Sequence, residues 1–67
     1  MSVARVTKIK ATSPKSFDDA VHSGIARASK TLRGITGAHI IDQKAMVANG
    51  QVAKYLVTME ITFVLED

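Results

Sequence analysis

The sequence predicts an α+β domain with the element order β-α-β-β, in which one helix packs across a three-stranded antiparallel sheet. Three observations lead to this prediction. An amphipathic segment with helix start and stop signals follows a first extended run, the dipeptide Asn49-Gly50 separates two further extended runs, and the last of these runs alternates between apolar and polar residues. The chain has 67 residues, which is enough for a single domain spanning residues 1–67.

The first strand is predicted at residues 3–11, where β-branched and polar residues roughly alternate. In the helix that follows, Ser13 is the candidate N-cap and Pro14 occupies the first helical position, where its missing N–H costs nothing. Gly34 is expected to end the helix after about five turns. Gly24 is a poor helix former inside the helix, so we expect the backbone to approach the sheet closely there. One apolar stripe runs down the helix: Phe17, Val21, Gly24, Ile25, Ala28 and Leu32.

Residues 38–48 and 51–65 are predicted to form a β-hairpin, because Asn-Gly favours a type I′ turn, whose two central residues need positive φ. Ideal pairing about this turn would place Asp42 and Lys44 among apolar neighbours. A β-bulge near Ile40-Ile41 would correct the mismatch, although the pattern does not fix its position. The apolar face of the last strand consists of Ala53, Tyr55, Val57, Met59, Ile61, Phe63 and Leu65. The opposite face carries Lys54, Thr58, Glu60 and Thr62.

The last strand is too long for a compact domain of this size. About 14 residues at about 3.3 Å each extend about 46 Å, whereas a compact chain of 67 residues has a diameter of about 28 Å. A helix of about 30 Å cannot cover such a strand, and a small sheet with open edges and no disulfide is expected to be marginal alone. We therefore expect a homo-oligomer.

The composition excludes several classes of function. There is no cysteine, which excludes a disulfide framework and a thiolate zinc site. The chain has neither a signal-peptide core nor an apolar run of membrane length, so we expect a cytoplasmic protein without a membrane partner. The net charge is +3, but the basic residues are scattered and aromatic residues are few, which argues against nucleic-acid binding. No nucleophile elbow, phosphate loop or Ser-His-Asp pattern is present, so no enzymatic activity and no catalytic residue is expected.

Four segments together resemble the dodecin family: ATSPKSFDDAV, IARASKTLRGI, AHIIDQ and YLVTMEITFVLED. The resemblance extends from about Val6 to Asp67. It implies a hollow homododecamer that binds and stores flavin rather than an enzyme. In the flavin-binding members, paired flavin rings stack between tryptophans from neighbouring subunits, and a glutamine on the last strand contacts the polar edge of the ring.

The chain departs from this family pattern at two positions. Gly37 stands at the tryptophan position and Leu56 at the glutamine position, and the chain contains no tryptophan. Thr36, next to Gly37, belongs to the same family site. Stacking on an aromatic side chain contributes roughly 1–3 kcal/mol per ring in comparable base-binding sites. The resemblance therefore implies an emptied flavin site, no tightly bound flavin, and storage of a small ligand that the sequence does not identify.

Two alternatives remain open. Asp42 and Glu60, together with Glu66 and Asp67, offer carboxylate oxygens that could hold a divalent cation such as calcium between subunits. A second alternative is a basic module that binds nucleic acid or coenzyme phosphates, and such binding would weaken steeply as the salt concentration rises. The residues expected to contact phosphate in that case are Arg5, Lys8, Lys10 and Lys54.

Overall fold

The computed structural model describes residues 3–65 and confirms the predicted β-α-β-β order. Strand β1 runs Val3–Ser13, helix α1 Phe17–Ala28, strand β2 Ile35–Ala48 and strand β3 Gln51–Leu65. The strand order in the sheet is β1-β3-β2, and β3 is antiparallel to both of its neighbours. The predicted three-stranded antiparallel sheet is therefore confirmed, with the longest strand at its centre.

The helix begins later than the sequence predicts. Ser16 is the N-cap, and its hydroxyl accepts a hydrogen bond from the backbone N–H of Asp19 at 2.9 Å. Ser13 is instead the last residue of β1, opposite Tyr55, and its buried hydroxyl donates to the Asp19 carboxylate at 2.6 Å. Pro14 lies in the connection between strand and helix. The prediction that Ser13 caps the helix was wrong, because sheet pairing holds this residue in β1.

The helix also ends earlier than predicted, at Ala28 rather than near Gly34. Both the backbone N–H and the hydroxyl of Ser29 donate to the carbonyl of Ile25, at 2.9 and 2.8 Å, and such side-chain bonds compete with continuation of a helix. Gly34 has the predicted positive φ of 73° but lies in the connection to β2. Its carbonyl accepts a hydrogen bond from the N–H of Val64 at 2.9 Å. Within the described residues, no helix is long and apolar enough to cross a membrane.

The helix packs on the sheet face formed by the alternating apolar residues of β3, which we call the helix-covered face. Val57, Met59 and Ile61 are fully buried there. A β-carbon built on Gly24 would lie 2.5 Å from the Cε of Met59 and 2.9 Å from the Cβ of Ala11. The predicted close approach at Gly24 is confirmed, and glycine is the residue that permits it.

A register shift close to the hairpin turn decides which β2 side chains face the helix. Ala53 of β3 has no partner, because the pairing shifts between Met46 and Val47 of β2. The shift places Asp42 opposite Thr58 and Lys44 opposite Leu56, on the sheet face away from the helix. The polar mismatch that ideal pairing would create is thereby avoided, at a bulge that the sequence did not predict.

A second shift returns the pairing to its original register. Ile41 has no partner, and Ile40 pairs with Met59 on the helix-covered face. The predicted bulge near Ile40-Ile41 is thus confirmed, but its effect is to turn Ile40 towards the helix. The bulged Ile41 is 44% exposed.

The protomer is elongated, with extents of 51 × 19 × 13 Å. The helix has 12 residues and is therefore only about 18 Å long, so it covers only part of the length of the sheet. Val47 and Val52, next to the turn, are 65% and 49% exposed. The turn has φ of 53° at Asn49 and 75° at Gly50, which confirms the predicted type I′ geometry. The prediction that the last strand is too long for a compact domain is also confirmed, since β3 has 15 residues.

Candidate ligand-binding face

The candidate site residues lie on the sheet face opposite the helix, which we call the open face. In an antiparallel sheet, residues directly opposite each other point to the same face, so the register of β3 with its neighbours assigns every paired position to a face. The predicted polar face of β3 is confirmed as part of it. The β3 residues on the open face are Lys54, Leu56, Thr58, Glu60, Thr62 and Val64.

Gly37 lies on the open face opposite Thr62, at a position where space is available. A β-carbon built there would meet no atom within 4 Å. The glycines with positive φ among the described residues are Gly34 and Gly50, so the backbone of Gly37 suits any residue. Thr36 is exposed and has no partner at the register shift just before Gly37. A large side chain at position 37 would therefore fit without backbone strain.

Leu56 is half-buried on the same face, between Thr12 of β1 and Lys44 of β2. It is six residues along β3 from Thr62, the partner of Gly37, which corresponds to about 20 Å at about 3.4 Å per residue. That distance exceeds the reach of one small ligand within a protomer. A pocket that uses both positions must combine residues from different subunits.

Glu60 has a basic residue opposite it on each side. Lys8 lies opposite on β1 and His39 opposite on β2. The Nδ1 of His39 is 3.7 Å from a carboxylate oxygen of Glu60, with the histidine 78% exposed. Exposed pairs of this kind contribute little stability. The sequence did not reveal the complete row, because the position of Lys8 depends on how β1 pairs with β3.

The structure places Asp42 and Glu60 on the same face in neighbouring rows, because Asp42 lies opposite Thr58. Within residues 3–65, no group of three or more His, Asp or Glu side chains is positioned to hold a metal ion. One protomer therefore supplies two carboxylates at most from this range. The remaining predicted ligands, Glu66 and Asp67, lie outside the described residues.

The basic residues expected to contact phosphate are divided between the two faces. Arg5 belongs to the helix-covered face, whereas Lys8, Lys10 and Lys54 lie on the open face. Lys44 joins them there as a consequence of the unpaired Ala53 near the turn. Sequence alternation alone had assigned Lys44 to the apolar face, so its place in this group was missed.

Comparison with known proteins identifies the family. The sequence model of the Dodecin family matches residues 3–66. The chain is 36% identical to a dodecin from Streptomyces davaonensis, with a TM-score of 0.94 over 98% of this chain and 97% of that chain. A dodecin from Streptomyces coelicolor is 35% identical, with a TM-score of 0.93 over 98% and 94% of the two chains.

A third similar structure is the calcium-chelating immunodominant antigen of Mycobacterium tuberculosis, named calcium dodecin and described as having a novel calcium-binding site. It is 29% identical, with a TM-score of 0.84 over 97% of this chain and 93% of that chain. No curated protein sequence matches the chain. Because the family match covers nearly all residues and the structures agree over the whole fold, this chain belongs to the dodecin family.

Proposed function

We propose that this chain forms a hollow homododecamer that binds and stores a small ligand other than a tightly held flavin. The observation that carries the proposal is the open face with Gly37 and Leu56 on it. Both side chains that flavin-binding dodecins use to hold the ring are absent, and α1 packs against the other side of the sheet. Family membership and the 51 Å protomer, whose sheet extends beyond its helix, support the assembly.

A binding role, rather than catalysis, agrees with the chemistry of the described residues. The buried serine hydroxyl, that of Ser13, donates to Asp19 at the start of the helix. This pair joins β1 to α1, and Ser13 is only 2% exposed, so a substrate cannot approach it. The open face instead offers hydroxyl, ammonium and carboxylate groups on a rigid sheet, which suits reversible ligand binding.

Native mass spectrometry of the protein, purified without added ligand, tests both parts of the proposal. We expect a dodecamer, with any retained ligand visible as added mass and no stoichiometric flavin. Only monomer or dimer at micromolar concentration would contradict the assembly. A flavin mass on every subunit would contradict the emptied flavin site.

Calcium binding is the second candidate function. It is favoured by Asp42 and Glu60 lying in neighbouring rows of one face and by a relative that is named for chelating calcium. Calcium takes about six to eight oxygen ligands, so the site would have to combine carboxylates from more than one subunit.

Calcium titration calorimetry on the assembled protein tests this candidate. We expect Asp42→Asn and Glu60→Gln each to abolish calcium binding, whereas Asp18→Asn, which changes an exposed carboxylate on the helix, leaves it intact. Equal calcium affinity in all three variants would remove Asp42 and Glu60 from the site.

A further inference from the structure

Three lysines surround Leu56 on the open face. Lys44 lies directly opposite Leu56 on β2, Lys54 is its neighbour on the same face of β3, and Lys10 lies opposite Thr58 on β1. All three lysines are exposed. Lys44 and Lys54 are diagonal neighbours on one sheet face, about 7–8 Å apart. Strand β3 separates Lys10 from Lys44 by about 12 Å, so three ammonium groups on flexible stems can reach one extended anion. We call Lys10, Lys44 and Lys54 the lysine cluster.

The lysine cluster is not neutralised by its own protomer. Asp42, opposite Thr58, is the one carboxylate that the described strands place among these rows. The ion pair formed within residues 3–65 is that of His39 with Glu60, so no lysine of the cluster is paired within this range. Lys44 and Lys54 are like charges on diagonal neighbours of one face, which repel each other. A multivalent anion bound between them would remove this repulsion.

The surroundings of the cluster determine which kind of anion fits. Tyr55 and Phe63 belong to the helix-covered face, and Phe17 of the helix packs against Tyr55 with ring centroids 4.9 Å apart. The described part of the open face therefore has no phenylalanine, tyrosine or tryptophan on which a nucleobase or flavin ring could stack, and its one imidazole, that of His39, lies opposite Glu60, away from the cluster. The uncharged neighbours of the lysine cluster on this face are Thr12, Met46, Leu56 and Thr58. An extended anion without a ring matches this surface.

We propose that the lysine cluster binds a polyvalent phosphate chain and recognises the phosphates alone, with tripolyphosphate as the simplest example. The inference rests on the proposed function, since it names the class of ligand that the open face of the assembly holds. Lysine binds phosphate as a point charge, which suits a flexible chain of phosphates. A nucleoside triphosphate carries the same chain, so its affinity shows whether anything beyond phosphate is recognised.

Titration calorimetry with tripolyphosphate and with ATP tests the proposal. Native mass spectrometry of each sample beforehand establishes its subunit count. We expect the two affinities to agree within about threefold, because no ring is stacked. Both affinities should fall at least about tenfold between low and high salt, because the contacts are ionic and exposed. ATP binding that is more than about tenfold tighter would overturn recognition of phosphate alone.

Paired variants locate the site. The double variant Lys44→Ala, Lys54→Ala should bind tripolyphosphate at least about tenfold more weakly, because two charge-assisted contacts are lost. Lys15→Ala with Lys30→Ala removes the same charge from exposed positions outside the sheet and should change binding less than about twofold. Equal losses of tripolyphosphate affinity in the two double variants would overturn the inference. So would the absence of tripolyphosphate binding to an intact dodecamer. A monomer that still binds tripolyphosphate through Lys44 and Lys54 would support the cluster and overturn only the proposed assembly.

Discussion

A β-carbon on Gly24 would lie 2.5 Å from the Cε of Met59, so the helix packs this closely on the sheet only because Gly24 has no side chain. Alanine is normally favoured over glycine in a helix by about 1 kcal/mol. Here the added methyl would also lie 2.9 Å from the Cβ of Ala11, which cannot rotate away, and overpacking of a core costs about 1–3 kcal/mol. We predict that Gly24→Ala lowers the free energy of unfolding by about 1–2 kcal/mol in urea denaturation.

A second substitution separates crowding from other causes. Ala11→Gly combined with Gly24→Ala removes one of the two close contacts and should recover part of the lost stability, as coupled neighbours do. If Gly24→Ala is as stable as the unmodified protein, the close packing of α1 on β1 and β3 is not correct.

The hairpin turn gives a prediction that depends on backbone conformation alone. Gly50 has φ of 75°, and a β-carbon there would meet no atom within 4 Å. Gly50→Val should destabilise the fold by at least about 1 kcal/mol, because a β-branched residue is strained at positive φ. Thermal unfolding measures the effect, and Asn49→Gly is the matched control because glycine tolerates the φ of 53° at that position. An unchanged melting temperature for Gly50→Val would contradict the type I′ turn.

Local sequence signals were sufficient to predict the turn and β3, but not the residue at which the helix begins. Ser13 and Ser16 are both acceptable N-caps, and Pro14 favours the first of them by sequence alone. The choice is made by tertiary structure, because β1 continues to Ser13, whose side chain donates to Asp19. A single sequence carries no signal for how far an edge strand remains paired.

Predicting the candidate site required even more knowledge of the long-range strand pairing. The polar mismatch at Asp42 and Lys44 showed that a bulge was needed, but not that Ala53 near the turn would supply it. Two compensating shifts cannot be placed without knowing where β3 pairs, so the cluster that includes Lys44 was not foreseen. Gly37 and Leu56 were identified from the family resemblance, and the structure adds that they share a face about 20 Å apart.

Reversing a charge on the open face should weaken the assembly. Glu60→Lys would place a third basic side chain between Lys8 and His39, and like charges on one sheet face repel each other. We expect sedimentation velocity to show smaller species for this variant. Asp18→Lys makes the same charge change at an exposed helix position and should remain dodecameric. A dodecamer in both variants would mean that Glu60 lies away from the subunit contacts.

Restoring the two family side chains should restore flavin binding. Gly37 has neither positive φ nor a neighbour within 4 Å of its β-carbon position, so tryptophan fits there. Gly37→Trp supplies the stacking surface, and Leu56→Gln supplies the polar partner of a buried ring edge, which is costly to leave unpaired. Neither change alone should be sufficient. Each single variant is the control for the double variant, provided that native mass spectrometry shows the same assembly in all of them.

Titration of riboflavin fluorescence tests the loss of the flavin site most directly. A flavin ring that stacks on indole is quenched, so the double variant should show saturable quenching while the unmodified protein leaves riboflavin fluorescence nearly unchanged. Nanomolar flavin binding by the unmodified protein would contradict the loss of the flavin site, because the ring would then be held without the tryptophan and the glutamine.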